Sequence, residues 1–313
     1  MLRLPDFIIG GAAKSGTSTL HELLDRLPGV FIPAREIFLF TIDDFEQHPE
    51  FSVAGDGGWE PRDFAANRDE YLAWYSAFFA DAPDGALVGE DSTSYLPGRH
   101  AAERIHRELP NARLIFLLRD PAARTYSQYW HDLRVGRITE DFEATLRHAP
   151  GTLISRSLYV EQVRRYLDRF PRRQLQFLLF EALVADPTAV MREVADFLGI
   201  GLPDGYRADA VHRNPARVPR SIRLQMWRNR LVRDRVRQRF QGHLPGTSRP
   251  DSAGERVIRS RWARLNLARD RRPPPMRPET HAFLDQLFRR ENDGLSDLTG
   301  RDVTAKWYRG ERR

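Results

Sequence analysis

The chain has 313 residues, 41% of them hydrophobic, with a formal net charge of +6 and no cysteine. That length can bury a substantial core, and the lack of cysteine excludes disulfides, thiolate nucleophiles and cysteine-ligated zinc. Its nine histidines form no H-x-x-x-H pair or nearby cluster, so no metal site is expected, and no apolar run nears the ~18 residues that suggest a membrane span.

The first predicted element is the most informative. Phe7 to Ile9 read as a short buried strand, and Leu20, Leu23, Leu24 and Leu27 follow at helical spacing until Pro28-Gly29. The loop between them, Gly10-Gly11-Ala12-Ala13-Lys14-Ser15-Gly16, therefore ends on a helix N-terminus, where free N–H groups and the helix dipole favour an anion. Thr17, Ser18 and Thr19 add hydroxyl donors. Only two of the 49 basic residues are lysines, Lys14 and Lys306, which points to a need for a compact ammonium in this loop rather than a planar guanidinium. The nucleoside-triphosphatase loop G-x-x-x-x-G-K-[ST] does not fit, because aligning Gly11 and Gly16 puts Thr17 at its lysine position. A strand this close to Met1 leaves no room for a signal peptide, so a cytoplasmic location is expected.

Further along, Trp59, Phe64, Tyr71, Trp74, Tyr75, Phe78 and Phe79 take helical spacing from Tyr71 onward and are expected to be mostly core. Leu87 to Gly89 read as a strand, with Asp91 just past it. Leu114 to Leu118 make a second buried strand with Arg119 at its carboxyl end, where open α/β sheets bind ligands. Asp120 then suits a helix cap and Pro121 the first helical position. Ser127 lies eight residues after Arg119, and His131 one turn beyond Ser127. A helix through Phe170-Pro171 leads to a strand over Leu175 to Phe180. From Arg217 to Arg239 nine arginines alternate with apolar residues, and Arg256 to Arg272 is similar. Both predict basic amphipathic helices, whose polar faces are solvated or dock an acidic carrier protein, an anionic glycan or a membrane face. No linker or internal repeat divides the chain, so residues 1–313 are expected to form one domain.

With K-S-G-T-S at Lys14 to Ser18 and the strand-end Arg119 followed by Ser127, the chain resembles the sulfotransferases that use 3'-phosphoadenosine 5'-phosphosulfate (PAPS). Three weaker segments extend the likeness. Gly89-Glu90-Asp91-Ser92-Thr93-Ser94-Tyr95-Leu96 is similar to the family's G-E-x-[ST]-P-x-Y-[FL], with Thr93 in place of proline. Ser155-Arg156-Ser157-Leu158-Tyr159 carries Ser157 in place of glycine, and Met276 to Trp307 resembles the end of the carbohydrate and heparan-sulfate branch.

The resemblance implies an α/β fold of P-loop type, with a central, mostly parallel sheet flanked by helices on both faces. It implies PAPS as donor, PAP as product and no metal. Lys14, Ser15, Gly16, Thr17, Ser18 and Thr19 would hold the 5'-phosphosulfate, Arg119 and Ser127 the 3'-phosphate, and Arg271 would close over it from a late basic loop. Lys14 would also neutralise charge growing on the bridging and sulfuryl oxygens. Arg35-Glu36-Ile37-Phe38-Leu39-Phe40 resembles the family's K-E-x-H-F-F segment, making Glu36 the base for the acceptor hydroxyl. The acceptor would be a glycan, natural product, lipid or carrier-bound chain. Lacking the anchor of Golgi relatives, the chain resembles a bacterial member.

Plainer readings stand beside these. Glu36 can be a surface ion-pair partner of Arg35. Asp91 can tune the acceptor side or cap the next turn, and His131 can face the cleft or simply pack. Two rival functions also remain: a nucleotide kinase or nucleoside triphosphatase of the same broad fold, and an arginine-rich nucleic-acid binder whose affinity falls steeply with salt and survives loss of Lys14.

Overall fold

The computed structural model describes residues 2–52, 58–208, 218–241, 244–245, 253–268 and 272–308. Strands β1 (Phe7–Gly11), β2 (Val30–Phe31), β3 (Leu87–Asp91), β4 (Arg113–Leu118) and β5 (Leu175–Leu179) form one sheet in the order β2-β3-β1-β4-β5. Every neighbour pair is parallel, so all the carboxyl ends open on the same side. Phe7 is level with Gly89 and Arg113, and Leu118 with Leu179. The sheet is buried on both faces, which is why its strands read as continuous apolar runs. It is fully parallel where a mostly parallel sheet was expected.

Alternation of side chains divides the core between the two faces. Phe7, Ile9, Ile115 and Leu117 point to α1 (Thr17–Asp25), whose Leu20, Leu23 and Leu24 make the helical stripe. Ile8, Leu114, Phe116 and Leu118 point the other way, to α2 (Arg68–Ala77) and α3 (Ala101–Glu108). Of the aromatic run, Phe64, Tyr71, Tyr75 and Phe79 are core as expected, but Trp59 is exposed. Strand β3 runs two residues further than its apolar stretch predicts, carrying Glu90 and Asp91 into the sheet. Register with Ile8 and Ile9 extends it, because backbone pairing with β1 outweighs the poor strand preference of acidic residues.

After β4, α4 (Pro121–Val135) starts as predicted. Asp120 caps it by accepting from the Ala123 N–H at 2.6 Å, and Pro121 takes the first helical position. Helices α5 (Phe142–His148), α6 (Gly151–Ser155) and α7 (Tyr159–Leu167) follow, and α7 covers the face that holds Phe116. Beyond β5 come α8 (Phe180–Ala185) and α9 (Pro187–Leu198), the latter packed beside α1 on the opposite face. A two-residue antiparallel ladder joins β6 (Val218–Pro219) to β7 (Leu267–Ala268) and brackets the arginine-rich helices α10 (Ile222–Gln241) and α11 (Ala253–Asn266). Gln225 and Asn229 of α10 are buried and donate to the Leu133 carbonyl of α4. Helix α12 (Pro278–Glu291) packs on α4 through Leu284 and Phe288, and α13 (Leu295–Thr299) and α14 (Val303–Trp307) close the described chain. Among the described residues no helix is long and apolar enough to cross a membrane, and no three His, Asp or Glu side chains could hold a metal ion.

Candidate anion-binding and transfer site

The site gathers at the carboxyl ends of β1, β3 and β4. The end of β1 and the loop that follows are pinned on both sides: the Ala12 N–H donates to the Leu117 carbonyl of β4 at 2.7 Å, and the Leu96 N–H, from the segment after β3, donates to the Gly10 carbonyl at 2.8 Å. Gly16 turns the chain into α1 with φ of +90°, and a Cβ there would sit 2.9 Å from the Phe180 ring. No side chain caps α1; the Thr19 N–H donates to the Gly16 carbonyl at 3.0 Å, while the Thr17 and Ser18 N–H groups keep their capacity for an outside acceptor. Ser15 is fully buried and its Oγ has no partner in the protein. Thr17 is buried, Thr19 half-buried and Ser18 exposed. An uncapped helix start, an orphan hydroxyl and a loop with no room for a Cβ at Gly16 form a cradle suited to an oxyanion.

Arg119 reaches the same loop. Its Nη1 donates to the Lys14 carbonyl at 3.0 Å, while its guanidinium lies 4.6 Å over the Phe180 ring. Half-buried Ser127 lies two turns into α4, one turn before His131 and on the same helix face. The structure thus brings Lys14, Arg119 and α4 together from distant parts of the chain. Arg271 lies outside the described residues.

Two non-glycine residues among those described have left-handed backbones, Lys14 (φ 68°) and Phe38 (φ 63°), and both are here. Such a conformation costs on the order of 1–3 kcal/mol and persists only where the surroundings hold it. The Lys14 ammonium lies 3.4 Å from His131 Nδ1, which is also 3.2 Å from Arg134 Nη2. Burial, then the Lys14 and Arg134 charges, push the His131 imidazolium down to about 2. His131 is therefore neutral, with Nδ1 the acceptor and its proton on Nε2. Burial, then Arg134, lowers Lys14 to about 8, while Asp132 and Glu36 hold it up.

Glu36 faces them from the loop after β2. Its Oε1 accepts from the Thr93 N–H at 2.9 Å and the Thr93 hydroxyl at 2.6 Å. Ser92 Oγ accepts from the Ile37 and Phe38 N–H groups at 3.2 and 3.0 Å, so the segment is stitched along the end of β3. Burial, then the Asp91 carboxylate, raises Glu36 to about 7 against the pull of Thr93 and Arg156. The surface ion pair with Arg35 is not formed; Arg35 instead lies 4.5 Å over the Phe78 ring. Asp91 does not cap the next turn either. Its Oδ2 is 3.6 Å from His21 Nδ1 on α1, and its Oδ1 is buried without a partner. Burial raises Asp91 against His21; burial opposes ionisation of His21 too, but Asp91 lifts it above its ordinary value.

Sequence reasoning missed His21 and Arg134. His21 sits among the apolar residues of α1 with no motif around it, and only the parallel pairing of β1 and β3 brings Asp91 beside it. A hint existed for Arg134, which follows His131 by three residues and so shares its side of α4.

Comparisons with known proteins point to one family. The sulfotransferase family model matches residues 5–204. Over 206 residues the chain is 30% identical to heparan sulfate glucosamine 3-O-sulfotransferase 3B1 from Homo sapiens, a match covering 63% of this chain and 47% of that protein. Bifunctional heparan sulfate N-deacetylase/N-sulfotransferase 2 from Homo sapiens is 25% identical across 99% of this chain and 31% of its own length. The chain thus spans half or less of these relatives. A solved sulfotransferase from Alicyclobacillus acidocaldarius superposes with a TM-score of 0.64 at 26% identity, covering 98% of this chain and 100% of that one.

Proposed function

Since the chain belongs to the sulfotransferase family, we propose that it transfers a sulfuryl group from PAPS to a hydroxyl of its acceptor, and that residues 1–313 act as one sulfotransferase domain. The observation that carries this reading is the bond from Arg119 Nη1 to the Lys14 carbonyl, which joins motifs 105 positions apart into one anion site. When bound, PAPS supplies an activated sulfuryl group whose S–O bond to phosphate breaks as the acceptor oxygen bonds to sulfur.

The residues present suit that donor. The α1 N-terminus, with Ser15, Gly16, Thr17, Ser18 and Thr19, receives the 5'-phosphosulfate, and Arg119 with Ser127 receives the 3'-phosphate. We keep Arg271 as a further 3'-phosphate contact. Lys14 donates toward the bridging and sulfuryl oxygens, where negative charge grows. His131 accepts from Lys14 and aims the ammonium without adding charge. Glu36 takes the acceptor proton; a carboxylate raised to about 7 is ionised often enough to serve yet basic enough to accept. Nothing in this scheme calls for a metal.

The kinase and nucleic-acid readings are not favoured by the family match. A thermal-shift titration tests the proposal: PAP should stabilise the protein in saturable fashion, whereas ATP with magnesium and duplex DNA should not. Stabilisation by ATP with magnesium and none by PAP would overturn it. Transfer of labelled sulfate from PAPS to a hydroxyl acceptor completes the test.

A further inference from the structure

Helix α10 lies on α4 by one face and leaves the other bare. Gln225 and Asn229 are buried and donate to the Leu133 carbonyl, and Ile222 and Met226 pack into the cluster that holds Leu133. On the opposite side Leu224, Trp227 and Leu231, at the i, i+3 and i+7 spacing of one stripe, are 43, 58 and 64% exposed. Apolar residues scattered singly on a surface are ordinary. A tryptophan and two leucines in line form a contiguous ridge, which marks an interaction site.

The charge around the ridge says what its partner is. Helix α10 holds seven arginines and α11 four, with Asp234 and Glu255 as the only acids in the two sequences. Arg223 and Arg230 are exposed along one flank of the ridge. On the other flank Arg228 lies 5.3 Å over the Trp262 ring of α11, the helix whose outer side carries exposed Arg261, Arg264 and Leu265. Among the described residues of the two helices no acidic side chain interrupts this face. Glu50, in the 49–52 turn that packs on α10, is buried and accepts from Arg137, so its charge is met inside.

A second copy of the chain would set arginines against arginines, which is repulsive. An acidic protein would satisfy the arginines but would need a groove shaped to a convex ridge. A bilayer containing anionic phospholipid yields around a ridge: apolar side chains enter the boundary between headgroups and acyl chains, and phosphates surround them on every side. Arginine on both flanks matches that plane of charge. Tryptophan suits the same depth, with an apolar body and an N–H at its edge.

We propose that the outer face of α10, with α11 beside it, docks on the surface of a membrane containing anionic phospholipid, the ridge of Leu224, Trp227 and Leu231 entering the headgroup layer. Docking of this kind spans nothing and needs neither PAPS nor an acceptor, so it goes beyond the transfer chemistry and is tested apart from it.

Co-sedimentation of the full chain with vesicles tests it, comparing phosphatidylcholine alone with equal parts phosphatidylcholine and phosphatidylserine, and with soluble poly-L-glutamate as an acidic polypeptide without lipid. The mixed vesicles should bind the protein, phosphatidylcholine alone should not, and added salt should weaken the binding. Trp227→Ala should weaken it about tenfold, and Arg223→Gln with Arg230→Gln about fivefold per arginine removed. Trp227→Phe should keep the binding, but phosphatidylserine brominated on its acyl chains should quench the tryptophan fluorescence of the unaltered protein more than that of this variant. No binding to the mixed vesicles, equal binding to both kinds, binding unmoved by Trp227→Ala or by the arginine pair, or equal quenching in Trp227→Phe overturns the proposal. Tighter binding to poly-L-glutamate than to the mixed vesicles gives the face to an acidic protein and overturns it too. The thermal shift with PAP should be the same in every variant, which keeps a failure of docking distinct from a failure of the donor reading.

Discussion

Replacing Lys14 is the sharpest test of the transfer chemistry. Its ammonium is held by His131 at 3.4 Å, and its backbone carbonyl by Arg119 at 3.0 Å. Lys14→Ala therefore removes the charge while leaving the Arg119 contact in place. Loss of one preorganised donor to a developing negative charge costs about 10² to 10³ in kcat, roughly 2.7–4 kcal/mol. The ionisation of Lys14 adds a second signature. With its pKa lowered to about 8, the ammonium is about nine-tenths charged at pH 7 and about one-tenth at pH 9. In the unaltered protein kcat/KM should thus fall about tenfold per unit above pH 8, because that ratio reports the free enzyme. In kcat the same limb should lie at higher pH, since bound anionic donor favours the charged form. Lys14→Arg keeps the charge beyond pH 10 and should abolish the limb, with low activity because a planar fork cannot replace the ammonium beside His131. Initial rates of labelled-sulfate transfer across pH 6 to 10 measure all three. Lys14→Ala turning over within about threefold of the unaltered protein, or Lys14→Arg keeping a limb near pH 8, would refute the reasoning.

Glu36→Gln should lower kcat by about 10² to 10⁴ and leave PAP affinity unchanged; the unaltered enzyme should lose kcat/KM as pH falls through about 7, and an unmoved acid limb in the variant would exclude Glu36 as the base. Gly16→Ala places a Cβ 2.9 Å from the Phe180 ring at φ of +90°, so urea unfolding should show a loss of about 1–3 kcal/mol along with weaker PAP binding. Glu90 is fully buried, accepting from the Tyr75 hydroxyl at 2.6 Å and the Ser92 hydroxyl at 2.9 Å, and burial raises it to about 7. Because its folded pKa exceeds the unfolded one, its contribution is fully present below pH 4.5 and is lost as pH rises to about 7, up to ~3 kcal/mol in all. Glu90→Gln should flatten that slope in urea midpoints measured from pH 4 to 8.

Much of the fold was legible because it is written locally. The run Leu114 to Leu118, the cap Asp120 and Pro121 predict a buried strand and a helix start from their own neighbours, and the structure has both. The helix after Gly16 and its free N-terminus are equally local, since spacing of leucines and a glycine turn need no partner. Even so, the apolar run predicts a strand that ends at Gly89, because pairing with β1, not the preference of Glu90 and Asp91, keeps those two residues in it.

The chemistry of each candidate residue was decided elsewhere. Glu36 next to Arg35 in the chain suggests an ion pair, yet packing turns Arg35 onto Phe78 and Glu36 onto Thr93, 57 positions away. In the sequence His131 can face the cleft or simply pack, and only the placement of α4, which brings it 3.4 Å from Lys14, decides between them. Sequence alone determines where an anion cradle begins, because backbone geometry and helix ends are properties of a few consecutive residues. Which side chains are charged beside that cradle depends on burial and on neighbours from other strands, and only the folded sheet sets those.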